Sequence, residues 1–137
     1  MMARVLIAFA IIYLILALAL GLHMGLIADY RLGMVYAHFI ALGWLSLGLV
    51  ALLYLLYPRL AGGFFAWAHF WLYLVGLPLL LIGLTMTQLD AFVTGHALAM
   101  IGAVAMLLGV VALGANCLVN LPRRGDPEPD AGRPIQL

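Results

Sequence analysis

The residues of this chain with the widest chemical range are its four histidines, which lie one in each of four long apolar stretches. They are His23, His38, His69 and His96. Near neutral pH an imidazole can bind a proton, donate a hydrogen bond or ligate a metal ion. The apolar stretches around them contain no lysine, arginine or carboxylate. Ionisable groups in a strongly apolar segment are costly and are most often functional, so the histidines are the first candidates for a site.

The composition excludes several classes of protein. Of the 137 residues, 68% are apolar and 8% are charged, whereas a soluble domain is about half apolar and about a quarter charged. A soluble globule and a disordered chain are therefore excluded. The net charge of +1 offers no basic patch, so a nucleic-acid partner is excluded as well. The predicted environment is the lipid bilayer.

Each apolar stretch is long enough to cross a bilayer, which takes about 20 helical residues. The sequence predicts an all-α integral membrane domain over residues 1–120, with four transmembrane helices at 5–27, 34–57, 64–87 and 91–119. The connectors are short, which predicts that successive helices run antiparallel. Residues 121–137 contain four of the six prolines and no long apolar run, which predicts a flexible cytoplasmic tail.

The arginines predict the orientation. Five of the six lie on one side of the predicted spans, and Arg31 alone lies on the other. Because basic residues are retained on the cytoplasmic side, both termini are expected inside. We expect a multi-pass protein of the bacterial inner membrane.

Three histidines lie at similar depth in the predicted membrane. At 1.5 Å per residue, His23, His38 and His96 fall roughly 6–8 Å below the outer surface, whereas His69 falls in the opposite leaflet. Two opposed imidazoles would ligate a haem iron, and three converging imidazoles would bind copper or zinc. Haem fits the surroundings better, because small residues lie at that depth and Arg31 and Tyr36 could meet its propionates. Those small residues are Gly25, Ala41, Gly95 and Ala99.

No CxxCH motif is present, so the predicted haem is of the b type. Its predicted binding residues are His38, His96, His23 and Arg31, and the same three histidines are the candidate ligands of a metal ion.

Small and polar residues also form stripes that predict helix packing. His69, Tyr73, Gly76, Gly83 and Thr87 share one face of the third helix, where an interhelical hydrogen-bonded seam is favoured over a proton relay. The fourth helix has a stripe of small residues, which predicts a close partner either in the same chain or in another copy. The stripe consists of Gly95, Ala99, Gly102, Ala105, Gly109, Ala112 and Asn116.

Two helices carry a family resemblance. Residues 37–48 read AHFIALGWLSLG, and the helix closes with Tyr54, Tyr57 and Pro58. This resembles the second helix of subunit I in the haem–copper oxidase and nitric oxide reductase superfamily. The third helix, with His69-Phe70-Trp71-Leu72 followed by Gly76 and Gly83, is similar to the third helix of that subunit. The resemblance covers roughly residues 21–83.

The resemblance implies that His38 is an axial ligand of a low-spin haem. In the family the second ligand, the copper histidines and a cross-linked tyrosine come from later helices, which have no counterpart in these 137 residues. The family subunit comprises three arcs of four helices, and this chain has the size of one arc. By analogy, three copies could rebuild the twelve-helix body, so the resemblance implies a homotrimer.

Three functions remain open from the sequence. The first is a small b-haem membrane protein for electron transfer or for binding nitric oxide or oxygen. The second is a non-catalytic accessory subunit of a larger respiratory complex. The third is a copper- or zinc-binding membrane protein. No catalytic residue is assigned, and any enzymatic activity would be that of an oxidoreductase.

The arginine pattern makes a testable prediction about topology. A reporter enzyme that is active only in the periplasm should be inactive when fused to the C-terminus, because the positive-inside rule places that terminus in the cytoplasm. The same reporter fused after Asp90, in a predicted outer connector, should be active and serves as the control. An active C-terminal fusion would contradict the orientation.

Overall fold

The computed structural model describes residues 1–121, and this part of the chain folds into four long helices without a strand. Their ends agree with the sequence prediction to within three residues. The predicted tail beyond Leu121 lies outside the described residues. The helices are α1 Met2–Ile27, α2 Gly33–Leu56, α3 Gly63–Gln88 and α4 Phe92–Asn120. A short 3-10 turn, Pro58–Ala61, precedes α3.

All four helices are long and apolar enough to span a membrane. Much of their apolar surface faces outward: on α1, for example, Ile15 and Leu22 are 59% and 66% exposed. A helix that is apolar on all sides belongs either in a protein core or in lipid. These side chains have no protein cover in the described chain, and the architecture is compatible with a multi-pass membrane protein.

The helices pack mainly against their neighbours in sequence. Extensive contacts join α1 to α2 and α3 to α4, and smaller contacts join α2 to α3. The contacts also show opposite directions: Tyr13 of α1 lies against Gly43 of α2, while Gly21 lies against Tyr36. Among the described residues α1 makes no extensive contact with α3 or α4, so the helices form a row rather than a closed bundle.

Glycines allow the backbones of α3 and α4 to touch. A Cβ atom added at Gly83 would lie 2.7 Å from the Cα atom of Ala99, and one added at Gly95 would lie 2.6 Å from the backbone nitrogen of Thr87. A Cβ at Gly102 would lie 2.6 Å from the carbonyl oxygen of Gly76. The small-residue stripe predicted on the fourth helix therefore packs against α3 of the same chain.

The middle of α2 is wound as a π-helix over Phe39–Ser46, directly after His38. Two hydroxyls bond to carbonyl oxygens of this stretch: Ser46 donates to Ala41 at 2.8 Å, and Tyr73 of α3 donates to Leu42 at 3.1 Å. π-Helical stretches are rare and occur frequently at functional sites. Here the stretch is also where α1 and α3 both reach α2.

The glycine contacts generate a prediction about stability. Gly102→Ala should lower the free energy of unfolding by about 1–3 kcal/mol, because the new methyl group must separate two packed backbones. Gly114→Ala is the matched control, since an added Cβ there meets no atom within 4 Å. Denaturant titration of both variants in detergent micelles measures the difference. Equal stabilities would contradict the close backbone contact.

Candidate functional site

The three outer histidines lie at the surface of the described chain. His23 and His96 are exposed, and His38 is half-buried. Within residues 1–121, no group of three or more histidine, cysteine, aspartate or glutamate side chains is arranged to hold a metal ion. The predicted site of His38, His96 and His23 stays a prediction.

His38 has one ring nitrogen engaged by its own helix. Its Nδ1 lies 2.8 Å from the carbonyl oxygen of Met34, and because a carbonyl can only accept, Nδ1 donates its proton. The neutral ring then has its lone pair on Nε2. An imidazole oriented in this way by a backbone carbonyl is the usual form of a histidine ligand.

The other two outer histidines differ from His38 in their surroundings. The His96 ring stacks on that of Phe92, with centroids 5.8 Å apart and planes 7° apart. His23 lines a small cleft of about 130 Å³ together with Asp29 and Arg31, and neither His38 nor His96 lines this cleft. The structure thus places His23 and Arg31 in one cleft.

Arg31, the predicted partner of haem propionates, is already bound to a carboxylate. Its Nε and Nη2 atoms donate to Asp29, the shortest distance being 2.7 Å, and its backbone N–H donates to the same side chain at 3.0 Å. Hydrogen bonds from Arg31 lower the pKa of the Asp29 carboxyl, and the same contact raises the pKa of the Arg31 guanidinium. A propionate at this position would compete with Asp29.

Two of the small residues expected beside a haem have another role. Gly95 and Ala99 are buried against α3, in the close contact described above. Gly25 and Ala41 remain exposed. The small residues at this depth therefore do not bound one common slot in a single copy.

His69 is the histidine that the fold buries, with 1% of its surface exposed. Its Nδ1 donates to the carbonyl oxygen of Gly109 on α4 at 3.0 Å, which is an interhelical bond of the kind predicted for this face. Its Nε2 is buried and has no hydrogen-bond partner among residues 1–121. The Tyr73 and Tyr54 rings lie beside it, with centroids 5.4 Å and 6.5 Å away.

A cleft of about 530 Å³ opens beside His69, between α2, α3 and α4. Its lining is almost entirely apolar and consists of Leu42, Ser46, Leu49, Val50, His69, Tyr73, Leu80, Ala103, Met106, Leu107, Val110 and Leu113. Leu49 and Leu107 at its edge are more than half exposed, so the cleft opens onto the apolar surface that faces lipid in a membrane.

Sequence reasoning did not single out His69 as a site residue. Its position was nevertheless informative, because His69, Gly76 and Gly83 follow one another at intervals of seven residues on the face of α3 that packs against α4. Such a spacing predicts burial. The cleft itself has no sequence signal, since its walls come from three helices.

No protein-family model, curated protein or solved structure matches this chain.

The ion pair generates a prediction about titration. Arg31→Ala should raise the pKa of Asp29 toward its ordinary value, because the hydrogen bonds from the guanidinium that favour the carboxylate are lost. In the wild type, the stabilisation from this pair is present above the ordinary carboxyl pKa and is lost as the pH falls through the lowered pKa. A carboxyl-carbon NMR titration in micelles measures both values. Arg59→Ala, in a different connector, is the control and should leave Asp29 unchanged.

Proposed function

We propose that this chain is a multi-pass protein of the bacterial inner membrane, with both termini in the cytoplasm, that binds a b-type haem through His38. Its role would be electron transfer or the binding of a diatomic gas such as nitric oxide or oxygen. The observation that carries the proposal is the imidazole of His38, whose Nδ1–H is held by Met34 while Nε2 keeps its lone pair. His38 is also the residue on which the resemblance to the oxidase superfamily depends.

His38 offers one suitable axial ligand for a haem, but the second axial ligand is not identified in the described chain. A neutral imidazole nitrogen is a common axial ligand of haem iron. The proposal requires a second imidazole, and His23 and His96 are both exposed. When bound, the haem would supply one-electron redox chemistry or a coordination position for a gas.

A second copy of the chain is the proposed source of the other ligand. His23 and His96 are exposed and can reach a neighbouring molecule, and the outward faces of α1 and α4 are apolar and uncovered in the described chain. A trimer would bury these faces and oppose His38 of one copy to a histidine of the next. Haem binding and assembly would then stabilise each other, since a ligand that binds only the assembled state favours it.

A second candidate is a non-catalytic accessory subunit of a larger respiratory complex. The Asp29–Arg31 pair favours it, because the cation expected to meet the propionates is neutralised by a neighbour in the same connector. In this alternative the exposed apolar faces would pack against another membrane subunit, and the outer histidines would only form hydrogen bonds.

The proposal predicts a specific spectral loss. Purified wild-type protein should show a haem Soret band, and His38→Ala should abolish it or change its spin state, because the axial ligand is removed. His69→Ala is the control and should leave the band largely intact, since His69 lies on the opposite side of the predicted membrane. Oxidised and reduced spectra, with and without carbon monoxide, measure this.

The outcomes separate the candidate functions. A wild-type protein without a Soret band favours the accessory subunit, and metal analysis then tests for copper or zinc. An unchanged spectrum in His38→Ala would reject the ligand assignment. Native mass measurement in mild detergent tests the trimer, and a monomer that retains one haem per chain would refute the shared site.

A further inference from the structure

Two of the outer histidines have a methionine one helical turn away on the same helix. On α4, Met100 follows His96 by four residues, and on α2, His38 follows Met34 by four residues. Side chains four residues apart on an α-helix are neighbours, with Cβ atoms about 5–6 Å apart. Each pair therefore has an imidazole nitrogen and a thioether sulphur within reach of one ion.

The pair on α4 is accessible from outside the protein. His96 is exposed, and Met100 is 51% exposed. The His96 ring stacks on Phe92 with the two planes 7° apart, so this contact covers a face of the imidazole. The lone pair of an imidazole nitrogen lies in the plane of the ring. The stacking therefore orients the ring without covering the atom that would bind a metal ion.

The direction of the side chains favours the pair on α4. Side chains of an α-helix lean toward its N-terminus, so Met100 extends over the turn that carries His96. Methionine has three rotatable bonds and adapts its shape to its surroundings. On α2 the order is reversed, and the methionine leans away from the histidine that follows it.

The two donors favour a soft metal ion. Thioether sulphur is a ligand of Cu(I), whereas Zn²⁺ is bound by thiolates, imidazoles and carboxylates. Both donors of the pair are uncharged, and no residue of α4 is acidic. A bound ion would therefore keep its full charge, which disfavours a divalent ion more strongly than a monovalent one.

The depth of the pair also suits a monovalent ion. The 29 residues of α4 form a helix about 44 Å long. The hydrocarbon core of a bilayer is about 30 Å thick, so about 7 Å at each end of a centred helix lies among the lipid headgroups. His96 is about 6 Å from the start of α4, so an ion on its imidazole would lie close to the hydrocarbon boundary.

We propose that His96 and Met100 form a binding site for monovalent copper at the outer end of α4. This site goes beyond the proposed haem and does not rest on it, because it does not use His38. His23 remains exposed as the histidine that could meet His38 of another copy.

The test measures the affinity of the full chain for Cu(I) in detergent micelles, under anaerobic conditions, by competition with a chromophoric Cu(I) chelator. A Cys117→Ala background removes the single thiol of the chain. Met100→Leu keeps the size of the side chain but removes its sulphur, and should weaken Cu(I) binding by roughly tenfold or more because one of two ligands is lost. His96→Phe keeps a planar ring without nitrogen and should have the same effect. The affinity for Zn²⁺ should not change in Met100→Leu.

Two methionines provide matched controls. Met106→Leu changes a buried methionine of the same helix, and Met34→Leu changes the methionine of the pair on α2. Both variants should retain the Cu(I) affinity of their background. Unchanged affinity in Met100→Leu, or a larger loss in Met34→Leu, would overturn the proposal. His38→Ala should leave Cu(I) binding intact, so failure of the haem proposal and failure of the copper proposal can be told apart.

Discussion

Direct backbone contact between α3 and α4 is the constraint on which the packing of this helix pair depends. Glycines at 83, 95 and 102 remove the Cβ atoms that would hold the helices apart. In lipid, where apolar side chains gain little by meeting one another, such close approach is a principal source of helix association. The contact brings the carbonyl oxygen of Gly109 within hydrogen-bonding distance of His69. The orientation of that imidazole is therefore a consequence of glycine packing.

The π-helical stretch of α2 joins the remaining helices to this pair. Gly43 lets Tyr13 of α1 pack against the stretch, and the carbonyl oxygen of Leu42 accepts a hydrogen bond from Tyr73 of α3. The ring of Tyr73 also flanks His69. The same stretch begins immediately after His38. The surroundings of His38 and of His69 therefore both border this π-helical stretch.

The histidines fall into two physically different groups. His23, His38 and His96 lie at or near the surface. His69 is enclosed by its own chain, with a defined tautomer and an apolar cleft beside it.

The sequence by itself determined the four helices, because stretches of more than 20 apolar residues between short polar connectors leave the backbone no other way to satisfy its hydrogen bonds in lipid. It also determined that the fourth helix would pack through small residues. It did not determine that Gly95 and Ala99 would face α3 rather than a haem, nor that His96 would be exposed. Each of those outcomes depends on which face of a helix its neighbour covers. In a helix that is apolar on all sides, the periodicity of apolar residues does not show which face a neighbouring helix will cover. Only the tertiary structure decided which face is covered.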